Sequence, residues 1–251
     1  MHWIYLSPHF DDVALSCGGL LWQQAQAGEQ VSLWTICGGS PPDGSLSPFA
    51  ESLHARWETG EQASQQRWQE DLTSCAELLA TPYHLPILDC IYRRAPEKDG
   101  GDFLYTCEEA LFGALHPAED YLVQELNASI AQKLPQPAEL VCPLALGGHV
   151  DHRLARLAAE MMERPLWYYA DYPYVLDDRI HLGKLIKSGW KRVNFNVSEA
   201  GMAAWERSVA AHASQISTFW PDLGAMRQAL RAYRRQMRGV ILWRPPKNRL
   251  V

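Results

Sequence analysis

The sequence has no long apolar run and no leader-like start. No stretch approaches the roughly 18 consecutive apolar residues that a membrane-spanning helix requires. The first residues, Met1-His2-Trp3, lack the basic and apolar regions of a signal peptide. We therefore expect no membrane span and a cytoplasmic location.

Closely spaced cysteines are absent too. The six cysteines are scattered without a C-x-x-C spacing, and several fall within apolar segments. Buried free thiols in a reducing compartment are the simplest interpretation. The six are Cys17, Cys37, Cys75, Cys90, Cys107 and Cys142.

The chain also lacks an excess of positive charge. Its 23 Lys and Arg residues are outnumbered by 29 Asp and Glu residues, and the formal net charge is -6. This balance argues against nucleic acid or an anionic membrane as the main partner. The locally basic run over residues 227–249 is interpreted as a solvated helix face. The G-x-G-x-x-G dinucleotide fingerprint is missing, and Gly18-Gly19 is expected only to let a helix approach the sheet closely.

The remaining composition suits one α/β domain. The chain has 251 residues, 47% of them hydrophobic, and no linker or internal repeat divides it. Strand-like apolar runs alternate with helical patterns, which predicts a mostly parallel sheet flanked by helices in a single domain. We predict strands over residues 3–6, 31–37, 85–90, 140–146, 166–174, 191–197 and 240–244, and helices over residues 13–27, 61–79, 120–133, 153–163, 199–219 and 223–238. The polar segments 38–60 and 93–106 are expected to be loops beside a ligand site, where either could form a lid or a wall.

One predicted strand-to-helix loop concentrates ionisable residues. The segment Ser7-Pro8-His9-Phe10-Asp11-Asp12 follows the apolar run 3–6 and precedes the helix predicted from Val13. In an open α/β sheet such a loop lies beyond the carboxyl end of its strand, where ligands bind. Charged groups beside apolar elements are costly unless they are paired or bound to a metal. The loop therefore predicts a ligand or metal site.

A second loop of the same kind occurs late in the chain. The segment Gly147-Gly148-His149-Val150-Asp151-His152 lies between the strand predicted over 140–146 and the helix predicted over 153–163. If both strands belong to one parallel sheet, His9, Asp12 and His152 converge at one edge as two nitrogens and one oxygen. Three protein ligands with a free fourth position are typical of catalytic zinc, with iron or cobalt as alternatives.

Several short segments together carry a resemblance to a known family. Pro8-His9-Phe10-Asp11-Asp12 with Cys17-Gly18-Gly19, and His149-Val150-Asp151-His152, resemble the first and second motifs of the PIG-L/LmbE-like N-acetylglucosaminyl deacetylase family. Three further segments resemble family elements in the family's order: Arg67 with Glu70-Asp71, Tyr168 to Tyr174, and His212 to Gln215. The resemblance extends from about residue 3 to about residue 220.

The resemblance implies a Rossmann-like zinc hydrolase, one domain over residues 1–251, that removes the N-acetyl group from an N-acetylglucosamine-type sugar or glycoconjugate. The family's metal ligands fall on His9, Asp12 and His152, with Zn²⁺ favoured and Fe²⁺ or Co²⁺ as alternatives. Its general base falls on Asp11, which would deprotonate a metal-bound water. Its polarising or acid histidine falls on His149, which, if protonated, would face the oxyanion or donate to the amine.

Three further residues are expected to support the site. Arg67 would lie on the substrate side according to the resemblance. Asp151 could hold a ring N–H and fix the orientation of a histidine. Asp89, which ends the strand predicted over 85–90, could hold a sugar hydroxyl or cap the following turn.

Simpler explanations stand beside these roles. Asp12 directly precedes Val13 and could be a helix N-cap. Arg67 could be an exposed partner of Asp71 at i,i+4. The aromatic residues over 167–174 are interpreted as core and wall rather than as a sugar platform.

The chain departs from the family pattern at three positions. Phe10 stands where many members have Pro, Val13 where they have Glu, and Gly147 where some have a Tyr that is a candidate oxyanion donor. These departures bear on sugar specificity more than on the reaction, since the ligands and the base are retained.

Two other functions remain open. A metal-dependent phosphoesterase on the same scaffold is disfavoured by the few basic residues near the motifs. A sugar-binding module that keeps the metal without chemistry would have no need of Asp11. We expect a small amino-sugar substrate as the partner, and a homo-oligomer is an open alternative to which the aromatic second half could contribute an interface.

Overall fold

A central sheet of seven strands organises the part of the chain that the structure describes. This structure is a computed structural model, and it describes residues 1–41, 44, 46–57 and 63–246. The strands are β1 (His2–Ser7), β2 (Gln30–Thr35), β3 (Thr81–His84), β4 (Glu139–Pro143), β5 (Leu166–Tyr169), β6 (Lys191–Phe195) and β7 (Val240–Arg244). Their order across the sheet is β3-β2-β1-β4-β5-β7-β6.

The sheet is mostly parallel, as predicted. Strands β3, β2, β1, β4 and β5 pair in parallel, whereas β7 is antiparallel to β5 and β6 is antiparallel to β7. The centre of β1 is Ile4-Tyr5-Leu6, and all three residues are fully buried. A continuous apolar run of this kind is typical of a parallel strand that is covered on both faces.

Helices flank the sheet. They are α1 (Asp12–Gln26), α2 (Pro48–Arg56), α3 (Ala63–Leu78), α4 (Asp120–Lys133), α5 (Val150–Glu160), α6 (Arg179–Lys187), α7 (Glu199–Ala211), α8 (Ala213–Phe219) and α9 (Leu223–Met237). The helix predicted over 199–219 is divided at His212 into α7 and α8. Residues 61 and 62 of the helix predicted over 61–79 lie outside the described residues.

The strand predicted over 85–90 is wrong. After β3 the Leu85 amide still bonds to the carbonyl of Thr35, but Pro86 has no N–H to continue a ladder. Residues 90–92 then form a 3₁₀ turn, and the Cys90 amide donates to the carboxylate of Asp151 at 3.1 Å. The apolar residues of this segment pack as a loop over the carboxyl end of the sheet.

The loop predicted over 38–60 contains a helix. Ser47 accepts a hydrogen bond from the Ala50 amide, and Pro48 occupies the first turn of α2. An N-cap serine followed by proline is a recognised helix start. The many turn-forming residues around it in the sequence favour a loop instead. Residues 42, 43, 45 and 58–60 of this segment lie outside the described residues. Helix α6 was not predicted either.

Helix α3 buries a polar face as well as an apolar one. Cys75 and Leu78 are buried, but Trp68 and Leu79 are 36% and 53% exposed. Arg67, Glu70, Asp71 and Ser74 are buried alongside Cys75 and Leu78. These polar side chains find buried partners on other elements, and that removes the usual cost of burying them.

Two expectations about absent features are confirmed within the described residues. All six cysteines are free, and five of them are buried, with Cys107 exposed. None of the described helices is both long enough and apolar enough to cross a membrane.

Gly18 allows α1 and α7 to approach each other closely. The indole Nε1 of Trp205 on α7 donates to the carbonyl of Ala14 on α1 at 2.6 Å. A Cβ on Gly18 would lie 2.6 Å from Cδ1 of Trp205, which is closer than packed atoms tolerate. The close contact that we expected between helix and sheet is therefore made between two helices.

Replacing Gly18 by Ala should destabilise the protein. The added methyl group would force Trp205 away from α1, at a cost of about 1–3 kcal/mol in the free energy of unfolding. Urea denaturation measures this change. Gly183→Ala in α6 is a suitable control, because among the described residues no atom outside the chain neighbours and the backbone of its own helix lies within 4 Å of the added Cβ. Equal stability of the Gly18→Ala variant and the unmodified protein would contradict this packing.

Candidate metal centre and active site

The two sequence motifs meet at one edge of the sheet. Strands β1 and β4 are parallel neighbours, so the loops that follow Ser7 and Pro143 leave the sheet side by side. From β1 the chain proceeds outward through β2 and β3, whereas β4 leads outward in the opposite direction to β5. The crevice between strands at such a reversal is where open α/β sheets bind ligands.

His9, Asp12 and His152 come together in this crevice. The Nδ1 atom of His9 lies 3.1 Å from Oδ2 of Asp12, and Nε2 of His152 lies 3.3 Å from Oδ1 of the same carboxylate. One potential ligand atom from each residue falls within a group spanning at most 4.8 Å. The convergence of the two loops is thus found in the structure, while metal binding by these residues stays a prediction.

Asp12 does not act as an N-cap. It is the first residue of α1, and its Oδ2 atom accepts a hydrogen bond from the His9 amide, which precedes the helix, at 2.7 Å. This backward contact aims the carboxylate at the two imidazoles rather than at the helix amides. The capping explanation of Asp12 is therefore wrong.

In each imidazole the nitrogen that faces away from Asp12, its outer nitrogen, contacts a further carboxylate. Nε2 of His9 lies 3.0 Å from Oδ2 of Asp151, and Nδ1 of His152 lies 2.6 Å from Oδ1 of Asp171. Carboxylates in this position commonly fix the tautomer and orientation of metal-binding histidines. Asp171 belongs to the aromatic segment Tyr168 to Tyr174, but its partnership with His152 was not predicted.

The carboxylate of Asp151 contacts His9 of the first loop rather than a histidine of its own loop. The sequence suggested that it holds a ring N–H, and the structure places that contact on His9 in the other loop. Asp151 is fully buried and also accepts from Nη1 of Arg93 at 2.5 Å. Burial alone would raise the pKa of Asp151, but Arg93 and His9 outweigh it and hold the pKa well below its usual value.

No local pattern in the sequence indicates that Arg93 belongs to the site. It lies in the segment expected to be a polar loop, yet its guanidinium is buried between Asp151 and Glu119. A single arginine within a polar run carries no periodic signal, so its burial could not be inferred. Its effect is to keep Asp151 ionised and fixed in place.

Two alternative groupings of metal-binding side chains share Asp151. One joins it to His9 and His149, and the other joins it to Asp89 and Cys90. In both cases Asp151 is already paired with Arg93. Burial and the nearby carboxylates raise the pKa of the Cys90 thiol well above its usual value, which disfavours the thiolate that a metal would require. The set of His9, Asp12 and His152 has neither drawback.

The surroundings of His149 disfavour its charged form. Burial and the neighbouring His9 lower its pKa to about 3. Its Nδ1 atom accepts a hydrogen bond from the Asp151 amide at 3.2 Å, so the ring proton resides on Nε2. The protonated form that we considered from the sequence is therefore disfavoured, and His149 is available as an N–H donor.

Arg67 bridges two carboxylates at the site. Its guanidinium nitrogens lie 3.6 Å from Asp11 and 3.8 Å from Asp89, and the group packs on the ring of Trp57 at 4.8 Å. The alternative of an exposed pair with Asp71 is wrong. Asp71 is instead bonded to Nε2 of His84 at 2.6 Å.

Asp89 and Asp11 differ in how their carboxylates are used. Oδ1 of Asp89 accepts from the Ile91 amide at 3.3 Å and caps the 3₁₀ turn, while Oδ2 lies 3.9 Å from Nε2 of His9. Asp89 thus caps the turn that follows it and also faces the site. The Asp11 side chain makes no cap contact, although Asp11 is the residue that precedes α1.

The site holds more buried negative charge than its arginines balance. Its five buried carboxylates face two buried arginines, Arg67 and Arg93. Burial by itself lowers the pKa of His152, but Asp12 and Asp171 raise it to about 10. Without a metal the histidines therefore gain protons, and a divalent cation could replace that charge. The donors present fit a metal such as zinc. The five carboxylates are Asp11, Asp12, Asp89, Asp151 and Asp171.

Most of the aromatic segment belongs to the core. Tyr168, Tyr169 and Tyr172 are buried, and the hydroxyl of Tyr169 donates to the carbonyl of Leu6. Tyr174 differs, because it is only partly buried and its ring meets that of His152 edge-on, with 5.8 Å between centroids. The interpretation as core and wall thus holds, with Tyr174 on the site side.

Comparison with known proteins identifies the class to which this fold and site belong. Residues 4–162 match the PIG-L family, described as GlcNAc-PI de-N-acetylase, and the chain belongs to this deacetylase family. A relative from Niallia circulans, 2'-N-acetylparomamine deacetylase, is 27% identical over 212 residues, which cover 78% of this chain and 74% of the relative.

Solved structures show the same fold. The zinc-inhibited form of the teicoplanin deacetylase Orf2 is 25% identical, with a TM-score of 0.79 and coverage of 97% of both chains. The N,N'-diacetylchitobiose deacetylase of Pyrococcus horikoshii is 15% identical, with a TM-score of 0.55, covering 94% of this chain and 78% of that chain. At 15% identity the second likeness concerns the fold alone.

The stability of the metal-free protein should fall as pH rises above 6.5. The pKa of His152 is about 10 in the folded protein against 6.5 as the ordinary value, so its protonated form stabilises the fold fully below pH 6.5. This stabilisation is lost as pH rises toward 10, by at most about 1.4 kcal/mol per pH unit for one proton. Urea unfolding with a chelator between pH 6 and 9 measures it. His152→Gln should show a flatter slope, and equal slopes would contradict this ion-pair arrangement.

Proposed function

We propose that this protein is a zinc-dependent hydrolase that removes the N-acetyl group from an amino sugar or a glycoconjugate, with residues 1–251 forming one deacetylase domain. The observation that carries the proposal is the grouping of His9, Asp12 and His152 beside the separate carboxylate of Asp11. The relatives named for paromamine and teicoplanin deacetylation support this class of substrate.

His9, Asp12 and His152 would hold the metal. Two imidazole nitrogens and one carboxylate oxygen suit zinc and leave room for a further ligand, and iron or cobalt would also be accepted. When bound, the ion supplies a lowered pKa for water and polarisation of the acyl carbonyl. Asp151 and Asp171 act as positioning residues, since each fixes the outer nitrogen of one histidine.

Asp11 would accept the proton of the attacking water. It adjoins Asp12 in the chain, so its carboxylate can face the same water without occupying a ligand position. Its charged neighbour is Arg67, at 3.6 Å. That distance is longer than a close ion pair, so Arg67 does not sequester the carboxylate.

His149 would stabilise the negative charge that develops on the acyl oxygen. Its proton resides on Nε2 and its Nδ1 is fixed by the Asp151 amide, so the ring offers one oriented donor. A neutral N–H donor held in a buried site needs little rearrangement during the reaction. Because the pKa of His149 is about 3, this role does not require the imidazolium form.

Arg67 and Asp89 would bind the sugar. Arg67 can donate to hydroxyl or carbonyl oxygens, and Oδ2 of Asp89 can accept from a hydroxyl. Their separation of 3.8 Å leaves both groups incompletely bonded to each other. A polar substrate can therefore satisfy them on binding. This favours a small polyhydroxylated molecule as the partner.

The geometry disfavours a phosphoesterase. Of the two arginines buried at the site, Arg93 is committed to Asp151 and Glu119, and Arg67 faces Asp11 and Asp89. A phosphate dianion would meet more carboxylates than arginines, whereas an acetamide is neutral. A binding module without chemistry would gain nothing from an unliganded Asp11 beside the metal site.

Amine release from a panel of N-acetylated amino sugars tests the proposed function. We expect turnover of at least one N-acetylglucosamine derivative, loss of turnover on chelation, and recovery when Zn²⁺, Fe²⁺ or Co²⁺ is restored. Matched phosphate monoesters serve as the competing substrates. Release of phosphate without amine release would reject the deacetylase.

Asp11→Asn should separate the base from the metal ligands. The substitution keeps the size of the side chain but removes the proton acceptor, so kcat should fall by about 10²–10⁴ while the bound zinc is retained. The neighbouring variant Asp12→Asn should lose zinc as well as activity. Metal content by mass spectrometry accompanies the kinetics. An Asp11→Asn variant that turns over normally with zinc bound would remove Asp11 from the reaction.

A further inference from the structure

The ring of Tyr174 fills the space left by Gly147. Gly147 has a left-handed φ of 77°, and a Cβ at this position would lie 2.6 Å from Cδ1 of Tyr174. The tyrosine ring therefore lies directly on the backbone of the second motif. Any side chain larger than hydrogen at residue 147 would displace it.

Tyr174 belongs to an enclosure of four rings. Its ring centroid lies 5.8 Å from that of His152 and 6.1 Å from that of Phe112. His149 lies 5.3 Å from His152 and 5.6 Å from Phe112, so it closes the circle opposite Tyr174. Phe112 is held there by a backbone bridge to His149. Tyr174 and His149, which both carry polar hydrogens, thus adjoin the same two rings, those of His152 and Phe112.

The hydroxyl of Tyr174 is an unused donor. It makes no hydrogen bond to any residue within the described ranges, and the side chain is only partly buried. Its ring lies edge-on to the ring of His152, with 5.8 Å between centroids, which places the residue beside the proposed metal ligands. A phenol in that setting retains its proton and can donate it in a hydrogen bond.

We propose that the Tyr174 hydroxyl binds the acyl oxygen of the substrate and, with Nε2–H of His149, forms a two-donor oxyanion site. This inference rests on the proposed function. The hydroxyl donates a hydrogen bond and keeps its proton throughout, so no group is transferred. The acetyl methyl group would pack on Phe112, which is the apolar member of the enclosure. Tyr174 would then be a catalytic residue, since it touches the reacting carbonyl.

Tyr174→Phe tests the proposal, because it removes the hydroxyl but keeps the ring on Gly147. We expect kcat to fall by about 10²-fold, with KM changed less than about threefold, since the donor acts mainly when negative charge develops. Tyr172→Phe is the matched control. Tyr172 lies in the same segment, but its ring packs against Tyr233 and Trp220 in the core, and activity should be retained.

A binding measurement distinguishes the oxyanion role from a structural one. The methylphosphonamidate analogue of N-acetylglucosamine carries a tetrahedral anionic centre, whereas glucosamine has no acyl group. Calorimetry with the zinc-loaded protein should show the analogue bound about tenfold or more weakly by Tyr174→Phe, with glucosamine bound equally by both proteins.

Several outcomes would overturn the proposal. Retention of kcat within about twofold, equal affinity for the analogue, or equal loss of affinity for the analogue and glucosamine would each do so. A protein that neither turns over an N-acetylated sugar nor binds the analogue before any substitution rejects the proposed function, and this inference with it.

Discussion

The burial of carboxylates around two imidazoles is the constraint on which the site depends. Asp12 contacts both His9 and His152, while Asp151 and Asp171 hold the outer nitrogens of the same rings. Buried charges of one sign are tolerated only when opposite charge or hydrogen bonds compensate them. The residues of the two motifs therefore depend on each other. Asp12 and Asp151 each contact a histidine of the other loop, and Asp171, which follows β5, contacts His152.

The topology of the sheet makes this compensation available. Because β1 and β4 are neighbours, a loop near the start of the chain and a loop in its second half share one crevice. Asp151 on the second loop orients His9 on the first, and Asp12 on the first faces His152 on the second. Separating the two strands would leave unpaired charges on both loops. The contacts between the two loops thus also help to hold the two halves of the sheet together.

Local patterns in the sequence were sufficient for much of this arrangement. The alternation of apolar runs and helical periodicity indicated a parallel sheet, and the clusters His9 to Asp12 and His149 to His152 stand out because their members are adjacent in the chain. Residues that are adjacent in the chain are positioned together by a single strand-loop-helix connection. The pairing of β1 with β4 then brings the two loops side by side. Membership of the deacetylase family agrees with the motifs from which it was inferred.

Contacts between distant segments could not be predicted in the same way. Arg93 is a lone arginine in a polar run, and nothing local shows that it is buried against Asp151. The sequence suggested a histidine as the partner of Asp151 but could not say which one. In the structure the Asp151 amide donates to Nδ1 of His149, while the carboxylate contacts His9 in the other loop. The burial of polar residues on helix α3 could not be predicted either, because their partners lie elsewhere in the chain.

The charge of the site also bears on which molecules it can bind in the proposed reaction. An N-acetyl sugar enters as a neutral amide, and its deacetylated product carries an amine that gains a proton at neutral pH. Carboxylates in excess of arginines favour this cationic product over the neutral substrate. The same field opposes anionic substrates, so it selects against phosphate esters. Protonation of the released amine in water opposes its return to the acyl group, whereas the excess negative charge of the site favours metal binding.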